Sequence, residues 1–153
     1  MKDKFVEAYM DIAHRIAQLS TAQRLKVGAI IVKDDRIVSL GYNGTPHGWD
    51  NNCEYVDAHT GELVTKPEVL HAESNCIAKL AGSSESGADA TIFVTHQPCM
   101  DCAKLIYQAG IKAVYFDKPY RLPDGLEFLT SAGIKVVQMN VLGGLLTILP
   151  LHS

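Results

Sequence analysis

The sequence predicts an α/β fold of three layers, a five-stranded mixed sheet held between helices. Three observations lead there. Apolar residues return at helical spacing near the N-terminus. Apolar runs of strand length follow at 27–32, 36–42, 91–94, 113–116 and 134–139. The last three of these alternate with helical segments, which is the pattern of βαβ units and parallel pairing.

Residues 4–19 read as the first helix, with Phe5, Ala8, Tyr9, Ile12, Ala13, Ile16 and Leu19 as its apolar set. His14 falls in this helix and reads as a partly exposed or hydrogen-bonded histidine. Ser20 to Lys26 is a polar connection. Val27 to Val32 and Arg36 to Tyr42 form a hairpin about a tight Asp34-Asp35 turn. The second strand runs into Gly41-Tyr42-Asn43-Gly44-Thr45-Pro46-His47-Gly48, a turn-rich segment expected to be a functional loop. Residues 49–68 show no clean period and are expected to be irregular. Pro67-Glu68 leads into a helix that carries His71 and Glu73 and ends near Gly82, packing on Ala72, Cys76, Ile77 and Leu80. A loop covers Ser83 to Asp89, Thr91 to Val94 is the third strand, and a helix from Cys99 to Gly110 follows Pro98. Ala113 to Phe116 is the fourth strand. Asp124 is expected to cap a helix running to about Ala132, and Ile134 to Met139 is the fifth strand. The apolar tail, Val141 to Leu151, is expected to pack on the domain or on a second subunit.

No domain-breaking linker interrupts the chain, so 1–153 reads as a single domain. The composition, 47% hydrophobic and 20% charged, is globular. A net charge of -3 with no basic block argues against broad nucleic-acid binding. The first residues lack the apolar run of a signal peptide, and no stretch is long and apolar enough to span a membrane. Neither nucleic acid nor membrane is therefore an expected partner. The four cysteines, Cys53, Cys76, Cys99 and Cys102, form no disulfide framework, and a reducing, cytoplasmic setting is expected.

Two short stretches carry the chemistry. His71-Ala72-Glu73 is H-x-E, and Pro98-Cys99-Met100-Asp101-Cys102 is P-C-x-x-C. Each is weak alone; together they are the pattern of zinc-dependent deamination. One imidazole and two thiolates give zinc three ligands, where a structural site would close with a fourth. The open position suits water, whose pKa a bound zinc lowers towards ~7. Glu73, two residues from a ligand, is placed to shuttle protons. Helix starts at the ligands favour thiolate over thiol.

The chain resembles the deoxycytidylate (dCMP) deaminase family, within the cytidine deaminase-like fold, from about Leu19 to Val137. The matching segments are Ser20-Thr21-x-x-Arg24-x-x-Val27-Gly28-Ala29, Gly41-Tyr42-Asn43-Gly44-x-Pro46, His71-Ala72-Glu73-x-Asn75 and Pro98-Cys99-x-x-Cys102-Ala103-Lys104-x-Ile106. Ala109-Gly110-Ile111-Lys112 and Tyr120-Arg121 extend them. The resemblance implies a hydrolase acting on a cyclic amidine, converting dCMP to dUMP for thymidylate synthesis. It implies zinc on His71, Cys99 and Cys102, with Glu73 as proton shuttle. For substrate it implies Asn43 against the deoxynucleoside, the Ala72 amide and Pro98 at the base, Arg24 near the phosphate, and Tyr120 and Arg121 over the nucleotide. A guanidinium makes paired, charge-assisted bonds to phosphate, which fits Arg24 and Arg121. The family further implies a homo-oligomer, often a hexamer, activated by dCTP and inhibited by dTTP. The effector, with Mg2+, would sit at the loop of Asn43, Gly44 and Pro46.

The chain departs from the family in one respect. Many relatives hold a second, structural zinc with a cysteine ahead of Arg24 and another beyond the Asn-Gly loop. Here Ala22 stands at the first position, and Cys53 near the second is preceded by Asn52. His47 and His59 are the remaining candidates, and one zinc per chain is expected. Other readings of the motifs are a cytidine or transfer-RNA adenosine deaminase, a non-catalytic zinc module, and a thiol redox protein using Cys99 and Cys102. A zinc module would have no use for Glu73 and would need a fourth ligand.

Overall fold

A computed structural model describes residues 1–140 and 145–148. Its elements in order are α1 (Asp3–Ala17), β1 (Gly28–Lys33), β2 (Arg36–Tyr42), β3 (Glu54–Val56), β4 (Leu63–Thr65) and α2 (Ala72–Ala81). Then come β5 (Thr91–His96), α3 (Met100–Gln108), β6 (Ala113–Lys118), α4 (Asp124–Ser131), β7 (Lys135–Asn140) and β8 (Leu145–Ile148). The main sheet has the order β2-β1-β5-β6-β7-β8. β5, β6 and β7 are parallel, and β1, β2 and β8 join antiparallel. The five expected strands are all present and the sheet is mixed. β8 adds a sixth strand, from the tail whose packing the sequence left open. The rest of that tail, 141–144 and 149–153, lies outside the described residues.

Strand alternation divides the core in two. Ile30, Val32, Phe93, Tyr115, Val137 and Met139 face α1. Ala29, Ile31, Ile92, Val94, Val114, Phe116 and Val136 face the other side, where residues of α2, α3 and α4 complete the cluster. The two parallel crossovers, β5-α3-β6 and β6-α4-β7, step the same way across the sheet. Right-handed connection therefore places α3 and α4 on one face. That leaves α1 alone on the opposite face and makes three layers.

Several local expectations need correction. The buried stripe of α1 is Val6, Met10, Ala13 and Ala17. Phe5, Ile12 and Leu19 are exposed. Both sets have helical period, so periodicity alone does not choose between them. The sheet chooses the one ending in Ala13 and Ala17, because only small residues let the helix approach Gly28. Residues 49–68 are not wholly irregular: β3 and β4 pair as a separate two-stranded hairpin with Glu54 opposite Thr65. Asp124 is the first helical residue of α4 rather than its cap, which is Pro123 without a side-chain bond. Its carboxylate still sits at the positive end of the helix. The Asp34-Asp35 turn is as expected, both residues having positive φ (51° and 60°), the geometry of a two-residue hairpin. His14 Nε2 lies 2.7 Å from the buried Asp117 Oδ2, joining α1 to β6.

Gly28 sets the distance between α1 and the sheet. A Cβ there would overlap the Ala13 carbonyl oxygen and stand 2.5 Å from Ala17 N. Gly28→Ala is expected to destabilise the fold by roughly 1–3 kcal/mol, the usual cost of overpacking. Urea unfolding reads this as a lower midpoint at unchanged slope, and a wild-type midpoint would show that α1 has room to lift.

Candidate metal centre and substrate cavity

The two chemical motifs meet at two helix starts. His71 is the N-cap of α2, and Cys99 is the N-cap of α3. Neither cap residue spends its side chain on the helix, so the imidazole and the thiol are both free to turn towards each other. Cys102 follows inside the first turn of α3 and is buried. Backbone N–H groups at both helix starts favour negative charge on the sulfurs.

His71 Nδ1 lies 3.3 Å from Cys102 Sγ and 3.6 Å from Cys99 Sγ. The three ligand atoms all fall within 4.8 Å of one another. A tetrahedral zinc with usual bond lengths sets an N and an S ligand about 3.5 Å apart, so the spacing fits the ion. The protonation of the trio points the same way. Hydrogen bonds from Cys102 and His71 hold the Cys99 thiol down at about 4. The Cys99 contact and burial push Cys102 up, and the Cys99 contact raises His71. Two adjacent sulfurs thus share a proton in place of a cation. A divalent ion would accept both as thiolates.

Glu73 sits in the first turn of α2, only 4% exposed. Burial pushes its carboxyl up to about 7. A carboxyl poised there both takes and gives a proton at neutral pH.

A cavity of ≈ 620 Å³ opens beside the trio. His71, Ala72, Glu73 and Cys99 line it, together with Arg24, Asn43, Tyr120 and Arg121. It lies beyond the carboxyl ends of β5 and β6, the expected place for a ligand in an open α/β sheet. Of the other residues singled out from the sequence, Pro98 is buried in the turn before α3, and Gly44 and Pro46 are half-buried in the loop after β2. None of these three lines the cavity. Gly44 exchanges two backbone hydrogen bonds with Leu70, the residue before His71.

Asn43 faces the cavity but is engaged with the backbone. Its Oδ1 accepts from Val27 N and its Nδ2 donates to Leu25 O. It therefore shapes the loop that carries Arg24. The Arg24 guanidinium donates to Thr65 Oγ1 at 3.2 Å. Cys53 is buried, with Thr21 Oγ1 3.6 Å from its sulfur. Among the described residues His71, Cys99 and Cys102 form the metal-type cluster; Cys53, His47 and His59 are not part of one.

Sequence reasoning missed Glu54 altogether and left Gln97 open between lining the cavity and shaping the turn before Pro98; both line the cavity. Glu54, only 3% exposed, accepts from Gln23 N and Arg24 N through Oε1. It lay in the stretch read as irregular, and nothing local marks a lone glutamate there. Gln97 is buried; its Oε1 accepts from Tyr120 N and its Nε2 donates to Leu122 O. Its place before Pro98 was visible, but its partners lie more than twenty residues away. His96 also lines the cavity, and burial lowers its pKa.

Comparison with known proteins agrees with this geometry. The family described as the cytidine and deoxycytidylate deaminase zinc-binding region matches residues 3–118. A crystal structure of dCMP deaminase from the cyanophage S-TIM5, in complex with dCMP and dUMP, is similar at a TM-score of 0.83 and 46% identity. That match covers 91% of this chain and 99% of the phage chain. ComE operon protein 2 of Bacillus subtilis is 38% identical, over 87% of this chain and 70% of its own length. The deoxycytidylate deaminase of Enterobacteria phage T4 is 34% identical, over 83% of this chain and 86% of its own.

Two predictions concern the metal centre. At pH 7 the metal-free trio keeps the Cys102 proton, whereas zinc requires two thiolates and a neutral imidazole. Zinc uptake should therefore release about one proton or more, and affinity should rise with pH. Calorimetry in buffers of different ionisation enthalpy measures this, and zero net release would exclude binding by both sulfurs. Gly125 of α4 touches the ligand turn, where a Cβ would overlap the Pro98 carbonyl oxygen and lie 2.9 Å from the Cys99 carbonyl carbon. Gly125→Ala should weaken zinc affinity by ~10–100-fold, the usual effect of disturbing a ligand's support. A chelator competition assay reads it, and unchanged affinity would show that the turn shifts freely.

Proposed function

The chain belongs to the cytidine and deoxycytidylate deaminase zinc-binding family, and from that premise we propose that it hydrolyses dCMP to dUMP and ammonia. The observation that carries the reading is the buried Glu73 beside an open three-ligand centre, in one cavity with Arg24 and Arg121. Zinc on His71, Cys99 and Cys102, one ion per chain, supplies a Lewis acid that makes water a nucleophile at neutral pH.

The residues of the chain do the rest. Glu73 accepts a proton from the attacking water and delivers it to the ring nitrogen beside the amino-bearing carbon. The carbon–oxygen bond forms as the ring C=N bond opens. Glu73 then takes the remaining proton of the added hydroxyl and passes it to the amino group, which leaves as ammonia as the carbonyl forms. The Ala72 backbone amide, at the start of α2, is directed to the base, and Pro98 shapes the turn beneath it. Arg24 and Arg121 neutralise the phosphate, and Tyr120 covers the nucleotide. Asn43 acts by holding the Arg24 loop as well as by facing the deoxynucleoside. Reduced thiols at two ligand positions suit the cytoplasm.

The same reading extends to regulation. The resemblance assigns dCTP as activator and dTTP as inhibitor, with Mg2+ on the effector, and a homohexamer as the assembly. The loop of Asn43, Gly44 and Pro46 is bonded through Gly44 to Leu70, so an effector gripping it would act on the start of the ligand helix.

Initial rates on dCMP, deoxycytidine and CMP, with and without dCTP, test the proposal. Turnover of dCMP with little on deoxycytidine is expected, and equal rates on both would remove the phosphate pocket. Glu73→Gln should lower kcat on dCMP by at least ~10²–10⁴-fold, the range of general acid–base catalysis. It should leave zinc content unchanged; retained turnover would remove Glu73 as the proton carrier.

A further inference from the structure

Residues 119–122 form an exposed arm between β6 and α4 that belongs to no helix or strand. The arm brings Tyr120 and Arg121 to the cavity wall. Backbone outside regular structure must find its partners elsewhere. Among the described residues, every hydrogen bond that residues 119–122 make is to one side chain, that of Gln97. The Tyr120 N–H donates to Gln97 Oε1 at 3.0 Å, and Gln97 Nε2 donates to Leu122 O at 2.9 Å. The two bonds bracket Arg121, so a side-chain amide does for the arm what a neighbouring strand does within a sheet. Gln97 is only 7% exposed, and its own N–H donates to Lys118 O at 2.8 Å, where the arm begins. The far end of the arm meets the same turn, because Gly125 of α4 abuts Pro98 and Cys99. Residues 97–99 thus hold both the arm and a candidate metal ligand.

We propose that Gln97 is a positioning residue for the phosphate: by fixing the backbone on both sides of Arg121, it sets the preference of this chain for a nucleotide over its nucleoside. The inference rests on the reading above that places the substrate phosphate at Arg121. An arginine on a loose loop gives up part of its gain on meeting an anion, because loop and side chain are both ordered at that moment. Holding the backbone beforehand removes the share of the loop. Glutamine suits the task on two counts. Its amide carries an acceptor and a donor, and both are used, so neither is stranded in a buried place. It is also neutral, so it adds no anion to the wall that receives the phosphate.

Initial rates on dCMP and deoxycytidine, for wild type, Gln97→Ala, Gln97→Met, Arg121→Ala and the double variant of Gln97→Met with Arg121→Ala, test this. Methionine fills nearly the volume of glutamine and makes neither bond, which guards against a simple packing defect. Both Gln97 variants should raise KM for dCMP by ~10-fold, the loss of two hydrogen bonds. Their kcat on dCMP, and their kcat/KM on deoxycytidine, should move by less than ~3-fold. On top of Arg121→Ala, Gln97→Met should add less than ~3-fold, because its effect runs through Arg121. Effects that multiply instead would overturn the proposal, as would a Gln97→Met protein with wild-type KM. A fall in kcat on both substrates together with lost zinc would also overturn it, and would make Gln97 a support of the metal turn. Calorimetric binding of dUMP and deoxyuridine needs no turnover and separates this from the catalytic reading. A wild type without turnover that prefers dUMP, with ~10-fold of that preference lost in Gln97→Met, would uphold Gln97 and sink only the reaction. A wild type that binds the two equally, or a preference untouched in Gln97→Met, would sink Gln97 whatever the turnover.

Discussion

Three ligand atoms from two distant segments must come within 4.8 Å of each other, and much of the molecule is arranged to achieve that. His71 comes from the entry to α2 and the two cysteines from the entry to α3. Each helix start must therefore be fixed against the sheet as well as against the other. α2 is tied to β2 by Ser39 Oγ to Cys76 O, Asn75 Nδ2 to Tyr42 O and Lys79 Nζ to Leu40 O. α3 is fixed from behind by the close approach of Gly125 to the Pro98–Cys99 turn. A side chain there, or a helix displaced by a fraction of a turn, would move one ligand and not the others.

The same convergence places the electrostatics. Two helix N-termini bring positive partial charge to a spot where two sulfurs and a carboxyl group gather. Burial works against charge on Glu73, and its carboxyl is pushed up to about 7. Exposure on the cavity side keeps Cys99 and His71 accessible, while Cys102 is enclosed. Glu73 thus stands in the same turn of chain as His71, next to the trio that could hold a metal.

The cavity wall is assembled from buried polar groups rather than from regular structure. Asn43 closes the 25–27 backbone, Glu54 caps the 23–24 turn, and Gln97 holds the 120–122 segment. Each is a side chain bonding to main chain that has no partner within a helix or strand. Arg24, Tyr120 and Arg121 are exposed, yet the loops beneath them are set by these bonds. Positioning a flexible cation through its backbone limits the freedom it loses on meeting an anion.

The sequence by itself determined the layers, the sheet type and the chemistry. Strand-length apolar runs alternating with helical segments leave few ways to build a sheet, and right-handed crossover removes most of those. H-x-E and P-C-x-x-C carry ligand number and an adjacent carboxylate in their spacing, since each motif lies within one turn of chain. Tertiary structure decided what depends on contacts between distant segments. It chose the Val6–Met10–Ala13–Ala17 stripe of α1 over an equally periodic one, because Gly28 admits only small neighbours. It made a hairpin of residues 54–65, whose short strands have too few residues to show a period. It gave Glu54 and Gln97 their roles, because a buried polar side chain is defined by its partners. Those partners stand between 23 and 31 residues away along the chain, and no local pattern encodes them.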